Sequence, residues 1–156
     1  MKIANNFELK EFTKSQTAAR KGIDNNPSNE IIKNLQTVAR KICQPIRNHF
    51  DRPVYITSGY RSETLNKSIG GSSTSQHVFG QAADMEIPGI SNYDMAIWIR
   101  DNLDFDQLIL ENYTEGVPNS GWVHCSYVNS NKNRKEIMTA LFDEYGNVNY
   151  VWGLKR

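Results

Sequence analysis

Two of the three histidines in this chain stand in segments that could form a metal site. His77 is followed seven residues later by Asp84, and His124 lies in the string W-V-H-C-S. Two histidines and one carboxylate fill three positions of a tetrahedral zinc ion and leave the fourth open for water, as in catalytic zinc sites. Zinc lowers the pKa of such a water towards ~7, which favours hydrolysis at neutral pH. The residue types are therefore compatible with a hydrolytic zinc centre.

The alternation of side chains along strands is compatible with this hypothesis. Asp84 and His124 lie in two segments predicted to be strands, 82–87 and 121–127. Because successive side chains of a strand point to opposite faces, Asp84 and Glu86 share one face, while His124 faces away from Cys125. Each strand can thus present a ligand to a cleft and apolar residues to the core. The chain before Asp84 is thin enough to approach a metal, with Gly80, Ala82 and Ala83.

Each of these residues also has an ordinary structural interpretation. A histidine in a strand is often a hydrogen-bonded structural residue, and Asp84 could belong to a strand edge or a turn. His49, next to Phe50 at a helix end, can meet the helix dipole and is interpreted as structural. A cysteine peptidase based on Cys125 is disfavoured because the adjacent His124 points to the opposite face.

Composition places the chain among ordinary globular proteins of one domain, residues 1–156. The net charge of +1 gives no electrostatic reason to expect a nucleic-acid partner. No apolar run is long enough to cross a bilayer, and the N-terminal residues lack the apolar stretch of a signal peptide. We therefore expect a monomer made in the cytoplasm. The two cysteines, Cys43 and Cys125, are expected to be reduced and at least partly buried.

Hydrophobic periodicity predicts helices in the first third of the chain and strands in most of the remainder. The predicted fold class is α+β, with N-terminal helices packed on a mainly antiparallel sheet. Pro45 is expected to kink or divide the longest helix. The predicted helices are 8–13, 29–49, 61–70 and 93–103. The predicted strands are 54–60, 82–87, 106–111, 121–127, 136–143 and 147–153.

Three motifs resemble the M15 zinc peptidases, which include D-alanyl-D-alanine carboxypeptidases and the L-alanyl-D-glutamate endopeptidases of phage lysins. The motifs are S-G-Y-R-S at 58–62, S-x-H-x-x-G-x-A-x-D at 75–84 and W-V-H at 122–124. The segment 12–27 is similar to the opening of one branch of this family. The resemblance covers nearly the whole chain and implies a hedgehog-like α+β fold.

The resemblance also implies roles for individual residues. His77, Asp84 and His124 match the metal ligands, with Zn²⁺ as the cofactor. Arg61 matches an arginine near the scissile carbonyl or the substrate carboxylate, although a surface salt bridge with Glu63 is the structural alternative. Ser75 matches the motif serine, which touches the substrate or orients its loop.

The general base departs from the commoner pattern of the family. Many members carry an acid three residues before the last histidine, where this chain has Gly121. Glu111 matches the glutamate at the end of the preceding strand in the branch that the chain most resembles. Its structural alternative is a strand-end salt bridge, and Glu86 is the substitute candidate for the base.

The function implied by the resemblance is zinc-dependent hydrolysis of an amide bond in the peptide stem or cross-link of bacterial peptidoglycan. We expect a phage or prophage endolysin that acts at the cell wall or periplasm after release from the cytoplasm. The alternative is a non-catalytic peptidoglycan-binding or phage structural module on the same fold, because a fold alone does not fix activity.

Overall fold

Helices and strands alternate irregularly along the chain in the computed structural model, which describes residues 1–156. The strands are β1 (Lys2–Ala4), β2 (Phe7–Glu8), β3 (Tyr55–Ser58), β4 (Ala82–Glu86), β5 (Gln107–Glu111), β6 (Trp122–Ser126), β7 (Glu136–Phe142) and β8 (Val148–Trp152). The helices are α1 (Leu9–Thr13), α2 (Gln16–Lys21), α3 (Asn29–Val38), α4 (Gln44–Phe50), α5 (Glu63–Ser68) and α6 (Asn92–Asn102). A π-helical turn (Ala39–Cys43) joins α3 to α4, and a 3₁₀ turn (Gln76–Phe79) precedes β4. The α+β prediction is confirmed.

The long helix predicted over 29–49 is one helical run with a defect in its middle. Ser28 caps its start by accepting a hydrogen bond from the Ile31 amide. The defect is the π-helical turn, in which the Gln44 amide donates to the Ala39 carbonyl. Pro45 has no amide hydrogen for a helical bond, and it lies in the first turn of α4, where that donor is not needed. The helix is therefore divided near the proline, and Cys43 and Ile46 on its two sides both remain in the core.

The main sheet has six strands in the order β3–β4–β6–β5–β7–β8. Four of the neighbouring pairs are antiparallel, but β5 and β7 run parallel. The prediction of a mainly antiparallel sheet holds for the other pairs. The parallel pair arises because β6 returns on one side of β5, and the chain then crosses to the other side to form β7.

The two faces of the central strands differ in character. One face packs against the helices and supplies the core, in which Met85, Val123, Cys125 and Leu110 are fully buried beside Ile42. The opposite face carries Asp84 and His124, which lie directly across from each other on β4 and β6. The alternation predicted from the sequence therefore separates the apolar core from the polar cleft.

Local signals weaker than hydrophobic periodicity account for the elements that the sequence did not predict. These are the β1–β2 hairpin, the six-residue helix α2 and the 3₁₀ turn. Ser15 and Ser75 cap the two helical segments by accepting backbone hydrogen bonds. None of the helices is both long and apolar enough to span a membrane.

Candidate metal centre

Three neighbouring elements bring the predicted metal ligands together. His77 lies in the 3₁₀ turn, which Ser75 orients by accepting a hydrogen bond from the His77 amide at 3.3 Å. Asp84 lies in the middle of β4, and its Cα is paired with that of His124 on β6. All three side chains are buried, with residual exposures of 3% for His77, 7% for Asp84 and 8% for His124. The structure thus assembles the set that the sequence spacing predicted.

The ligand atoms converge on one carboxylate oxygen. Asp84 Oδ1 lies 3.3 Å from His77 Nε2 and 3.0 Å from His124 Nδ1. The three donor atoms lie within 4.8 Å of one another. Ligands about 2.0–2.1 Å from a tetrahedral zinc ion stand roughly 3.3 Å apart, so the two separations from Asp84 Oδ1 are close to those of such a site.

The hydrogen bond of His77 to the backbone bears on the choice between a metal site and a simple polar cluster. His77 Nδ1 lies 2.6 Å from the carbonyl oxygen of Gly59, which can only accept, so Nδ1 carries a proton. Burial lowers the pKa of His77, which favours the neutral ring. The neutral ring then directs the Nε2 lone pair at the carboxylate of Asp84. Two electron-rich atoms that face each other in a buried site favour a positive charge between them, which a metal ion or a proton on Nε2 supplies.

The charges of the cluster favour metal binding at neutral pH. Burial opposes ionisation of Asp84, but His77 and His124 outweigh it and hold the pKa of this carboxyl well below its usual range. Burial also opposes protonation of His124, yet the bond to Asp84 outweighs it and raises the pKa of the imidazole. Asp84 is therefore an anionic ligand, and a metal ion would replace the proton that His124 holds in its absence.

Arg61 presents a cation to the same region. Its guanidinium donates to Ser58 Oγ at 3.3 Å and to Asn66 Oδ1 at 3.1 Å, both neutral acceptors. No carboxylate lies within 4.0 Å of it, so the salt bridge with Glu63 is not formed. Burial lowers the pKa of Arg61, although a guanidinium stays charged at neutral pH. This half-buried cation is free to meet an anionic group of a ligand.

Glu111 ends β5 on the face that carries His124. Its Cα pairs with that of Trp122, and Trp122 Nε1 donates to Glu111 Oε2 at 2.8 Å. Burial is the main reason that the pKa of Glu111 is raised. The charge of Glu111 also raises the pKa of His124 and of Arg61, which places this carboxylate within electrostatic reach of both. One oxygen is held by the indole, and the other has no protein donor.

Glu86 is less well placed for proton transfer. It lies at the end of β4, paired with Tyr55 on the edge strand, and lines a surface pocket with that residue. It does not contribute to the pKa shifts of His77, Asp84 or His124. Of the two candidate bases, the geometry therefore favours Glu111.

Gly121 shows why the acid of the commoner family pattern is absent. Its φ of +65° is a conformation that favours glycine, and a Cβ there would collide with the backbone of Glu111 and Asn112. A carboxylate side chain has no room at this position. The neighbouring strand supplies Glu111 instead, directly opposite the residue after Gly121.

A support for the His77 turn was not predicted from the sequence. Asp106, with an exposure of 2%, accepts a hydrogen bond from Gln76 Nε2 at 2.9 Å. Its carboxylate also accepts bonds from the amide and the guanidinium of Arg134. The Asp106 amide donates to the Ser126 carbonyl, two residues after His124. The signal for such a support is a buried carboxylate surrounded by hydrogen-bond donors. It is visible only in the fold, because Gln76, Asp106 and Arg134 are distant from one another in the sequence.

The remaining candidates have structural roles. His49 is exposed and stacks on Trp98, with ring centroids 4.4 Å apart. Cys43 and Cys125 are free and buried. Burial raises the pKa of both thiols well above the usual value, so both are protonated at neutral pH. A nucleophilic role for Cys125 is therefore excluded, because the reactive species is the thiolate.

Comparison with known proteins agrees with this geometry. The family model described as Peptidase M15 matches residues 5–126, which include all three clustered residues. A stretch of 35 residues is 46% identical to a zinc D-Ala-D-Ala carboxypeptidase from Streptomyces albus G. This match spans 22% of the present chain and 14% of that protein. From the extent of the family match, the chain belongs to the M15 peptidases.

Proposed function

We propose that this protein is a zinc peptidase that hydrolyses an amide bond in the peptide part of bacterial peptidoglycan. The observation that carries the metal assignment is the buried His77 lone pair directed at the Asp84 carboxylate. Membership of the M15 family supports the peptidase activity, and the relative from Streptomyces albus G supports zinc and a cell-wall substrate.

The residues around the cluster can divide the work of amide hydrolysis. Zinc held by His77, Asp84 and His124 would supply Lewis acidity toward a carbonyl oxygen and acidify a water molecule. Glu111 accepts a proton from the attacking water through its unengaged oxygen and returns it to the leaving amine. Arg61 donates hydrogen bonds to the carbonyl oxygen as it gains charge, or to a carboxylate of the substrate.

A pocket beside β3 offers room for the peptide. Its volume is about 830 Å³, and its walls are β3, the start of α2 and one side of α5. Arg61 and Lys14 provide positive charge there, while Glu86 provides one carboxylate. Since stem peptides carry free carboxylates, we propose that the carboxylate-bearing end of the substrate lies in this pocket.

The finer assignment is a phage or prophage endolysin. It is supported by the resemblance of segment 12–27 to the opening of the lysin-like branch. On this proposal the chain acts as a monomer at the cell wall after release from the cytoplasm. The bond cut is either the D-Ala-D-Ala bond or the L-Ala-D-Glu bond, because both types of member share one ligand set.

Digestion of purified peptidoglycan, followed by mass spectrometry of the fragments, tests the proposal and names the bond. We expect about one zinc per chain and new peptide termini that do not form when a chelator is present during the digestion. A zinc-loaded protein that binds the walls but releases no fragments would instead support the non-catalytic module.

A further inference from the structure

The terminal hairpin β7–β8 carries an exposed apolar surface on the face of the sheet that holds the metal cluster. Strand pairing places four of its large side chains on this face, because directly paired residues point the same way. Their exposures are 36% for Phe142, 40% for Val148, 53% for Tyr150 and 68% for Trp152. We call Phe142, Tyr150 and Trp152 the aromatic platform.

The platform is continuous with the candidate active site. Phe142 meets Trp122 edge to face, with ring centroids 6.0 Å apart, and Trp122 in turn binds Glu111. Tyr150 lies in the same cross-strand row as Glu111, separated from it by Ala140 alone. Ala140 is fully buried beneath its neighbours, so no gap separates Glu111 from the platform. A ligand that reaches Glu111 can extend over the platform along the contacting Trp122 and Phe142 side chains.

The chemistry of the platform favours a neutral ligand with flat apolar faces. From Met138 to Trp152, the hairpin positions on this face are all uncharged: Met138, Ala140, Phe142, Val148, Tyr150 and Trp152. The one charged position on this face, Glu136 at the start of β7, is paired with Arg134. A stem peptide, with its carboxylates and ammonium groups, would gain no charged partner here. A sugar ring presents C–H groups to an aromatic face and keeps its hydroxyl and acetamido groups for solvent or for the Tyr150 hydroxyl.

The dimensions agree with this choice. The platform lies two to three strand spacings from β6, or roughly 10–14 Å at about 4.8 Å per spacing. A peptide residue spans at most about 3.3–3.6 Å, so this distance corresponds to three or four residues of an extended stem. Stem peptides are short and hang from the glycan strand, so a stem bound at the cluster brings its sugar close to the hairpin.

We propose that the aromatic platform binds N-acetylated amino-sugar rings of the glycan strand, next to the cleft that takes the stem peptide. This proposal deepens the proposed function and rests on it for the nature of the substrate. It also predicts the orientation of the bound stem peptide, with its carboxylate-bearing end at β3 and its glycan-linked end at β8.

Calorimetric titration with tri-N-acetylchitotriose tests the platform without any cleavage step. We expect saturable binding to the wild-type protein and at least ~10-fold weaker binding to Trp152→Ala and to Tyr150→Ala. The matched control is Tyr145→Ala, which removes an aromatic residue that is 82% exposed in the turn between the same strands and should bind as wild type does. Because all three side chains are exposed, thermal unfolding should show that each variant folds.

A second measurement compares a free stem peptide with the same stem linked to its disaccharide. The ratio of the two kcat/KM values should fall by at least ~10-fold in Trp152→Ala relative to Tyr145→Ala. No sugar binding by the wild type, or an equal loss in Trp152→Ala and Tyr145→Ala, would overturn the platform. If the wild type binds the sugar through Trp152 yet cleaves neither substrate, the platform stands and the proposed function fails.

Discussion

The β4–β6 end and the β7–β8 end of one sheet face carry different kinds of side chains. At the β4–β6 end, Asp84 and His124 are buried and bonded to each other. At the β7–β8 end, Tyr150 and Trp152 project into solvent. The first end holds its side chains in a fixed geometry, and the second exposes side chains that can contact a large ligand.

The two ends also differ in whether the family match covers them. The match ends at Ser126, the last residue of β6, whereas the aromatic hairpin begins ten residues later. The chemistry therefore belongs to the shared part of the fold. The hairpin is where this chain can adjust which substrates reach that chemistry.

The largest effect is expected at the buried end. His124→Ala removes one of three ligands, so zinc content measured by atomic absorption should fall to near zero and hydrolysis to the background rate. The matched control is His49→Ala, because His49 is exposed and its ring contacts the rings of Phe50 and Trp98, not those of the metal cluster. Full zinc occupancy in the His124 variant would refute the ligand assignment.

At the border between the two ends, Glu111→Gln should reduce kcat/KM by ~10²–10⁴-fold while zinc stays bound. Since burial raises the pKa of Glu111, activity of the wild type should fall as the pH drops through that raised pKa. The variant should lack this acid limb in a pH–rate profile. Glu86→Gln is the paired variant, and loss of activity there with an active Glu111→Gln would reverse the choice of base.

The metal cluster could be predicted mainly from the resemblance of three motifs to the M15 peptidases, and local spacing and strand alternation were compatible with it. Asp84 follows His77 by seven residues, and alternation predicted that Asp84 and His124 each face away from the apolar side of its strand, whereas the pairing of β4 with β6 is a finding of the structure. The pairing of β5 with β7 was not predicted, since nothing local records which distant strand becomes a neighbour. For the same reason, the bond from Gln76 to Asp106 could not be read from the sequence.

An intermediate effect is expected for Asp106→Asn. Loss of the charged partner of Arg134 and Gln76 should loosen the His77 turn and weaken zinc binding by ~10–100-fold, the usual range for residues that orient ligands. A competition titration with a chromogenic chelator measures this. Unchanged affinity in a folded variant would show that the network serves stability alone.

The same residue predicts a pH dependence of stability. Burial opposes ionisation of Asp106, but bonds from Arg134 and Gln76 outweigh it and hold its pKa below the unfolded value of about 3.9. Its stabilising contribution is therefore complete above that value and is lost as the pH falls through the lowered pKa. The difference in unfolding free energy between wild type and Asp106→Asn should shrink between pH 7 and pH 2.

The smallest effect concerns the core beneath both ends. Cys43 and Cys125 are free, fully buried thiols, and Cys43 Sγ contacts Met85 Sδ at 3.8 Å. A monothiol reductant too weak to strip the metal should change neither the melting temperature nor the rate. A clear loss of either would reveal a disulfide that the structure does not contain.

The bond from His77 to Gly59 links the metal cluster to the first helix of the chain. The Tyr60 amide, one residue further on, donates to the Phe12 carbonyl at the end of α1 at 2.6 Å, and a Cβ on Gly59 would collide with the same backbone. Asn25 ties Thr13 to Tyr60 as well. Occupancy of the centre should therefore be measurable outside the ligand set, as slower hydrogen exchange at the Tyr60 amide, which gives an assay of metal loading that leaves the ligands unchanged.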